Sequence, residues 1–449
     1  MHHVVISVTP FAPSVFIANC SSQLYYPVKR IKILNAETSG TSIIYSFGIL
    51  RVFRSNYVNY SYQQTTQITF DGKVIFAMGQ VPPMGYKTFT VKEGLGGKVT
   101  ITADEKHVST PYWRVRFNKK AQFVSVYDKK HKRELIKKGA AANVIMTYED
   151  KPHNYDAWDL NNYYTEKQWE MDDVTSFEVM ETGAVRTVLR VERKYLESTY
   201  VQDIIFYEHN PRIDFENHVD WKQHHLFVKA LFPVDVHAPE ATYEVQYGHV
   251  KRPTHYNTSW DFARFEVCYH KWLDYSEDNY GVSMMNDCKY GAHIHDDVIG
   301  LSLLKCATLP NPVADQEHHE FTYSMLPHEG NWREAGTLQQ AYQVNQPMTA
   351  AFKAVEGGNA PAQYAAVRSS KPNVVVEVVK KAEDSDDTIV RVYEAYGRRV
   401  KAELSFPAEL TSAAECDLME ENDAPVAVKG NKVSFEIKPF EIRTFKVRW

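Results

Sequence analysis

The 449-residue chain is long enough for about three domains at ~150 residues each, or for one large β sandwich of ~250 residues with smaller companions. A formal net charge of -5 with acidic and basic residues interspersed leaves no electrostatic footprint for nucleic acid or an anionic membrane, and no apolar run approaches the ~18 residues of a membrane span. Tyr 28 and Phe 22, in an aromatic fraction of 13%, suit the pleated surfaces of an all-β protein and equally the stacking platforms of a sugar binder.

In chain order, short apolar runs from Val4 to Val91, such as SIIYSFGILRVF and KVIFAM, alternate with polar turns and predict a small β domain over 1–95. VPPMGYKTF (Val81 to Phe89) should break that pattern with a tight turn before KTFTV resumes it. The N-terminus has prolines and no Lys or Arg ahead of its apolar part, so it makes a poor signal peptide.

After EGLGGK come VTITA, YWRVRFN, FVSVYDKK, VRTVLRVERKY, YVQDIIFYE, RIDFENHVDW and LFVKALFPVDV. So many strand-like segments without intervening amphipathic helices predict a large antiparallel sandwich over 96–347. In RTVLRVER the period of two places Val188, Leu189 or their neighbours inward and the arginines outward.

The Ala-, Gly- and Pro-rich stretch MTAAFKAVEGGNAPAQYAAVRSS reads as a connection with a strand before GGNAP. A small C-terminal β sandwich completes 348–449, with a hairpin around the acidic turn EDSDD and a closing hairpin with Lys-Pro at its turn. The expected fold is therefore all-β, a large supersandwich-like antiparallel core flanked by two smaller β-sandwich domains. Cys20, Cys268, Cys288, Cys306 and Cys416 are odd in number and lack CxxC spacing, which speaks for free thiols in a reducing compartment and against a disulfide framework or zinc knot. A cytoplasmic protein is expected.

Three segments, RPTHYNTSWD (Arg252 to Asp261), HKWLDYSEDNYGVSMMNDCKYG (His270 to Gly291) and LPNPVADQEHHEFTYSMLPHEG (Leu309 to Gly330), closely resemble the C-terminal β region of glycoside hydrolase family 38. These are the zinc-dependent retaining α-mannosidases, and the resemblance is to their cytosolic, vacuolar and bacterial branch. It extends from about Asp71 through VPPMGYKTF, YDAWDLNNYY (Tyr155 to Tyr164) and KKAEDSDDTIVRVYEAYG. In that family the zinc, the nucleophile and the acid/base belong to an N-terminal barrel, which no stretch of these residues resembles. The resemblance thus implies a noncatalytic region that packs on a catalytic barrel of the same gene product, with zinc in the barrel and no cofactor in this chain. The substrate of the whole enzyme would be an α-mannoside oligosaccharide.

Site candidates follow from the chemistry of sugar contact, in which an aromatic face covers apolar C–H groups and a carboxylate accepts hydroxyl protons. Asp156, Trp158 and Asp159 form the best such group and are expected at the rim of a mannose site, with no catalytic residue here. Asp274 with Glu277 is the next carboxylate pair. The NDCKYG turn offers Asn286, Asp287, Lys289 and Tyr290 toward the barrel; a purely structural turn accounts for the same residues.

Among the histidines, His293 and His295 share a strand face and adjacent pairs such as His318 and His319 point apart; hydrogen-bonded or surface histidines are expected rather than a metal site. The alternatives are a free-standing carbohydrate-binding protein and an independent sandwich hydrolase or lyase. A sheet face left without its barrel should also drive homo-oligomer formation.

Overall fold

The computed structural model describes residues 63–77, 79–93, 97–353 and 361–449, together with the backbone of the strands His3–Val8, Val15–Ala18 and Ile31–Asn35. SIIYSFGILRVF and the GGNAP turn lie outside the described residues. The described chain is nearly all β and antiparallel, and its contacts group it into two compact units.

The larger unit comprises 98–244 and 250–345. It holds a five-stranded sheet, a six-stranded sheet and most of a nine-stranded sheet whose middle is Ile213–Asp220, His318–Glu329 and Tyr280–Asn286. Alternation builds these strands: in Trp113–Phe117, Trp113, Val115 and Phe117 are buried while Arg114 and Arg116 face water. The sheets share one core in which Phe123, Phe206, Phe215, Phe232 and Tyr323 meet ring to ring. One polar network inside that core links four side chains. Asn143 donates to Gln202 (2.7 Å), Gln202 donates to Asn217 (2.8 Å) and Tyr323 (2.7 Å), and the Tyr323 hydroxyl donates back to Asn143 (2.7 Å).

Two expectations need correction here. In Arg186–Tyr195, Val188 and Leu189 are both buried, so both faces of the strand are covered and the arginines do not all point outward. Arg186 and Arg193 are buried, and Arg186 is held by Glu181 (2.7 Å) while Arg190 grips Asp203 through two bonds of 2.7 Å. The second concerns Thr337–Asn345, which is a helix where only strands were expected. Its Leu338, Ala341 and Tyr342 stand at helical spacing and are buried, and Asn345 donates to the Asn286 carbonyl (2.8 Å).

The smaller unit comprises 1–97, 245–249 and 346–449. VPPMGYKTF turns at Pro83 and Met84 and resumes as Gly85–Lys87, as its sequence predicts. A Cβ on Gly85 would lie 1.8 Å from the Tyr364 carbonyl oxygen, because Gln363–Ala365 pairs directly alongside. Gly85→Ala is therefore expected to lower the stability of this unit by about 1–3 kcal/mol, read as a lower urea midpoint.

Val374–Lys381 and Thr388–Glu394 pair across the EDSDD turn, the predicted hairpin. The closing hairpin does not form. Lys432–Ile437 pairs with Val400–Ser405, whereas Ile442–Arg448 pairs with Thr388–Glu394 and Ser412–Cys416. The Lys-Pro turn carries the chain from one sheet to the other, so Phe435 and Phe445 meet across the core (4.8 Å) instead of along an edge.

Candidate functional site

Strand register places two sequence motifs at one end of the large unit. In the six-stranded sheet Glu149 lies opposite Leu226, Phe227 opposite Lys305, and Ser302 opposite Gly291. The segments that follow Glu149, follow Lys305 and precede Gly291 therefore leave from the same end. They carry YDAWDLNNYY, the 306–317 loop and NDCKYG.

In the first loop Tyr155 adopts φ 53°, and the amides of Trp158 and Asp159 return to its carbonyl (2.8 and 3.1 Å). Tyr155 and Trp158 meet edge to face at 6.2 Å and are 66% and 71% exposed. Asp159 is exposed too, whereas Tyr164 is buried against Tyr148 and Phe227. Asp156 turns toward the 306–317 loop. One carboxylate oxygen accepts the Thr308 amide (2.7 Å) and hydroxyl (2.9 Å), and the other accepts the Leu309 amide (3.0 Å). Burial pushes the Asp156 carboxyl up, but these donors outweigh it and hold it below the usual carboxylate range.

In the second turn Asn286 is fully buried. Its amide donates to the His270 carbonyl (2.6 Å) and its oxygen accepts the Lys289 amide (2.6 Å). Asp287 accepts the Thr322 amide through both oxygens (3.1 and 3.0 Å). Lys289 stands over the Phe321 ring at 4.8 Å, and Tyr290, 44% exposed, lies beside His270. Thus Trp158, Asp159 and Tyr290 present side chains to solvent at this end, while Asp156, Asn286 and Asp287 are committed to holding the loops.

A cleft of about 390 Å³ opens between Cys288–Gly291 and Leu303–Lys305. Glu266 and Ser302 line it, and both belong to a buried polar cluster that the sequence reading missed. Lys229, 0% exposed in the middle of Leu226–Pro233, bonds Glu266 directly and reaches Ser302 at 3.3 Å. Glu266 also accepts from Tyr164 (2.8 Å) and Ser302 (3.0 Å) and contacts His293 Nδ1 (3.0 Å). Burial pushes the Glu266 carboxyl up, yet Lys229 and His293 outweigh it and bring it down to about 2. Burial lowers both Lys229 and His293, the lysine against the pull of Glu266. A carboxylate held this low is an acceptor, not a general acid near neutrality.

The other candidates lie elsewhere or are spent. Asp274 is buried and bound by Ser276 (2.7 Å), Ser283 (2.8 Å) and His328 (2.8 Å), while Glu277 pairs with Arg133 at 2.5 Å. His293 faces Glu266, whereas His295 stacks on Tyr256 (3.7 Å). His318 and His319 do point apart: His318 lies against His218, and His319 bonds the Asp315 carbonyl (2.8 Å). The zinc that the family implies does not fit the cleft, because Glu266 is occupied by four partners and none of the three-donor groupings found among the described residues includes a cleft residue other than Asp315.

Sheet order and pairing define a large antiparallel β-sandwich region. The model for "Glycosyl hydrolases family 38 C-terminal domain" matches residues 108–313, and that for "Glycosyl hydrolases family 38 C-terminal beta sandwich domain" matches 373–445. The chain belongs to glycosyl hydrolase family 38, of which it carries C-terminal β domains. It is 37% identical over 321 residues to Alpha-mannosidase 2C1 of Homo sapiens, a match covering 69% of this chain and 30% of that protein. It is 32% identical over 427 residues to Alpha-mannosidase G of Dictyostelium discoideum, covering 89% and 39%. The matches thus span 30% to 39% of the length of these curated relatives. The crystal structure of an alpha-mannosidase from Enterococcus faecalis V583 has the same fold, with a TM-score of 0.72 at 15% identity over 99% of this chain and 56% of that one.

Proposed function

We propose that this chain is the noncatalytic C-terminal β region of a retaining α-mannosidase, docking on a catalytic barrel of the same gene product and shaping the pocket that receives terminal α-linked mannose. The observation that supports it is the gathering of YDAWDLNNYY and NDCKYG at one end of the six-stranded sheet, where Tyr155, Trp158, Tyr290, Leu309 and Val313 are all exposed. Exposed apolar side chains grouped on loops of one end suit a partner surface. Trp158, Asp159, Lys289 and Tyr290 supply the rim contacts in this reading, and Asp156, Asn286 and Asp287 hold them in place.

Zinc, nucleophile and acid/base are assigned to the barrel. With the barrel absent, the same end would bring two copies of the chain together. A cytoplasmic location is in keeping with Cys268, Cys288, Cys306 and Cys416 being free. No helix among the described residues is long and apolar enough to cross a membrane.

In the full-length gene product, Trp158→Ala is expected to lower kcat/KM for an aryl α-mannoside about tenfold with an unchanged melting temperature, since a rim contact acts on substrate positioning and not on the core. Unchanged kcat/KM would remove Trp158 from the rim. Mannoside binding by the 449-residue chain alone, abolished by the same substitution, would favour the free-standing carbohydrate-binding protein.

A further inference from the structure

One face of the nine-stranded sheet brings together three side chains that the proposed function does not use. Ile213–Asp220 and His318–Glu329 pair antiparallel with His218 opposite Glu320 and Asp220 opposite His318. His218, His318 and Glu320 consequently share one face, two of them directly across the strands and the third one pleat along. Buried Asn217 and Val219 on one strand and Phe321 on the other lock the backbone from the opposite face. We propose that His218, His318 and Glu320 form a binding site for a first-row divalent cation of the zinc type.

The distances carry the inference. With metal–ligand bonds of about 2.0–2.1 Å, donors on a tetrahedral ion stand about 3.3 Å apart. One Glu320 carboxylate oxygen lies 3.5 Å from His218 Nδ1 and 3.2 Å from His318 Nε2, so two edges of that tetrahedron already exist. The imidazoles are nearly parallel, 19° between planes with centroids 6.3 Å apart, and all three donor atoms lie within 4.8 Å of one another. A small rotation of the exposed rings closes the third edge. Two imidazole nitrogens and one carboxylate oxygen select zinc-like ions over magnesium or calcium, which prefer all-oxygen shells. The fourth position is left to water. The other grouping of potential donors, Asp315, Glu317 and His319, is less free, because His319 is engaged by the Asp315 carbonyl and Asp315 accepts the Lys305 amide (3.3 Å).

The site also has a place in the fold. Trp221, just past Asp220, donates its amide to the Glu317 carbonyl (3.1 Å), so the two strands meet where the 306–317 loop returns to the sheet. An ion here would clamp the root of the loop that holds Asp156.

The test is equilibrium dialysis of the full chain against Zn²⁺, with thermal unfolding in parallel. Exposed thiols and other histidines also take up zinc, so the readout is a difference between proteins. The wild type is expected to hold one equivalent more than His218→Ala or His318→Ala, to bind at that site more than about tenfold tighter than Glu320→Gln, and to melt higher on adding Zn²⁺ by an increment that both alanine variants lose. Excess Mg²⁺ or Ca²⁺ should not displace it. The three side chains are 41%, 58% and 68% exposed, so the variants should fold without metal as the wild type does. Equal stoichiometry and an equal zinc-dependent melting shift in wild type and His218→Ala would overturn the proposal.

Discussion

Glu266→Gln is expected to destabilise the larger unit by about 3–5 kcal/mol, the loss found when one partner of a buried ion pair is removed and the other charge is left in place. Lys229 is fully buried with Glu266 as its carboxylate partner, and Ser302 at 3.3 Å is too weak an acceptor to replace it. The same pair should shape the acid limb of stability. The Glu266 carboxyl sits at about 2 in the folded chain against 4.5 for a solvated glutamate. Its contribution is fully present above pH 4.5, falls as the pH drops toward 2, and amounts to about 3 kcal/mol. Lys229, lowered by burial, acts only on the alkaline side and does not offset this.

Urea unfolding followed by tryptophan fluorescence from about pH 5 to about pH 3 should show wild-type stability falling more steeply than that of Glu266→Gln. Replacing both residues with apolar ones, Lys229→Met with Glu266→Leu, should recover part of the loss, because no charge is then stranded. A loss below about 1 kcal/mol in Glu266→Gln would mean that the ammonium finds water or another acceptor through the cleft, and the buried-pair account would fall.

This cluster also marks where sequence reading stops. Alternation in YWRVRFN, the EDSDD hairpin and the break at VPPMG were readable because each is settled by neighbours in the chain. The final two strands have the same local signals as a hairpin, yet their partners are Val400–Ser405 and Thr388–Glu394, a choice made by the packing of Phe435 on Phe445. Thr337–Asn345 is polar enough to pass for a loop until Leu338, Ala341 and Tyr342 find a sheet to cover. In RTVLRVER the local pattern predicts solvated arginines, because Glu181 and Asp203, the partners of Arg186 and Arg190, stand on neighbouring strands.

Within the site, resemblance singled out both loops, but the roles of their residues depend on atoms far away in sequence. Lys229 did leave a trace, a single cation inside the apolar run LFVKALF, and such a residue needs a buried carboxylate. Nothing local says that the carboxylate is Glu266.

Asp156→Asn is the substitution that separates holding a loop from touching a sugar. The carboxylate is 12% exposed and takes three donors from Thr308 and Leu309, so the two loops are joined through it. Asparagine retains one oxygen and turns an NH₂ group toward N–H donors, leaving at least one of them facing another donor. Loss of a charge-assisted bond and one unsatisfied amide together should cost about 2–4 kcal/mol.

Both loops would then move, and in the full-length gene product kcat/KM for an aryl α-mannoside should fall further than in Trp158→Ala, by about a hundredfold. Hydrogen exchange distinguishes the causes. The Thr308 and Leu309 amides should exchange faster in Asp156→Asn and at the wild-type rate in Trp158→Ala, while Thr308→Ala should reproduce part of the loss, since it removes the hydroxyl donor but keeps the amide. If activity falls in Asp156→Asn while those two amides stay as protected as before, the carboxylate acts on the sugar directly and the anchoring role assigned to it is wrong.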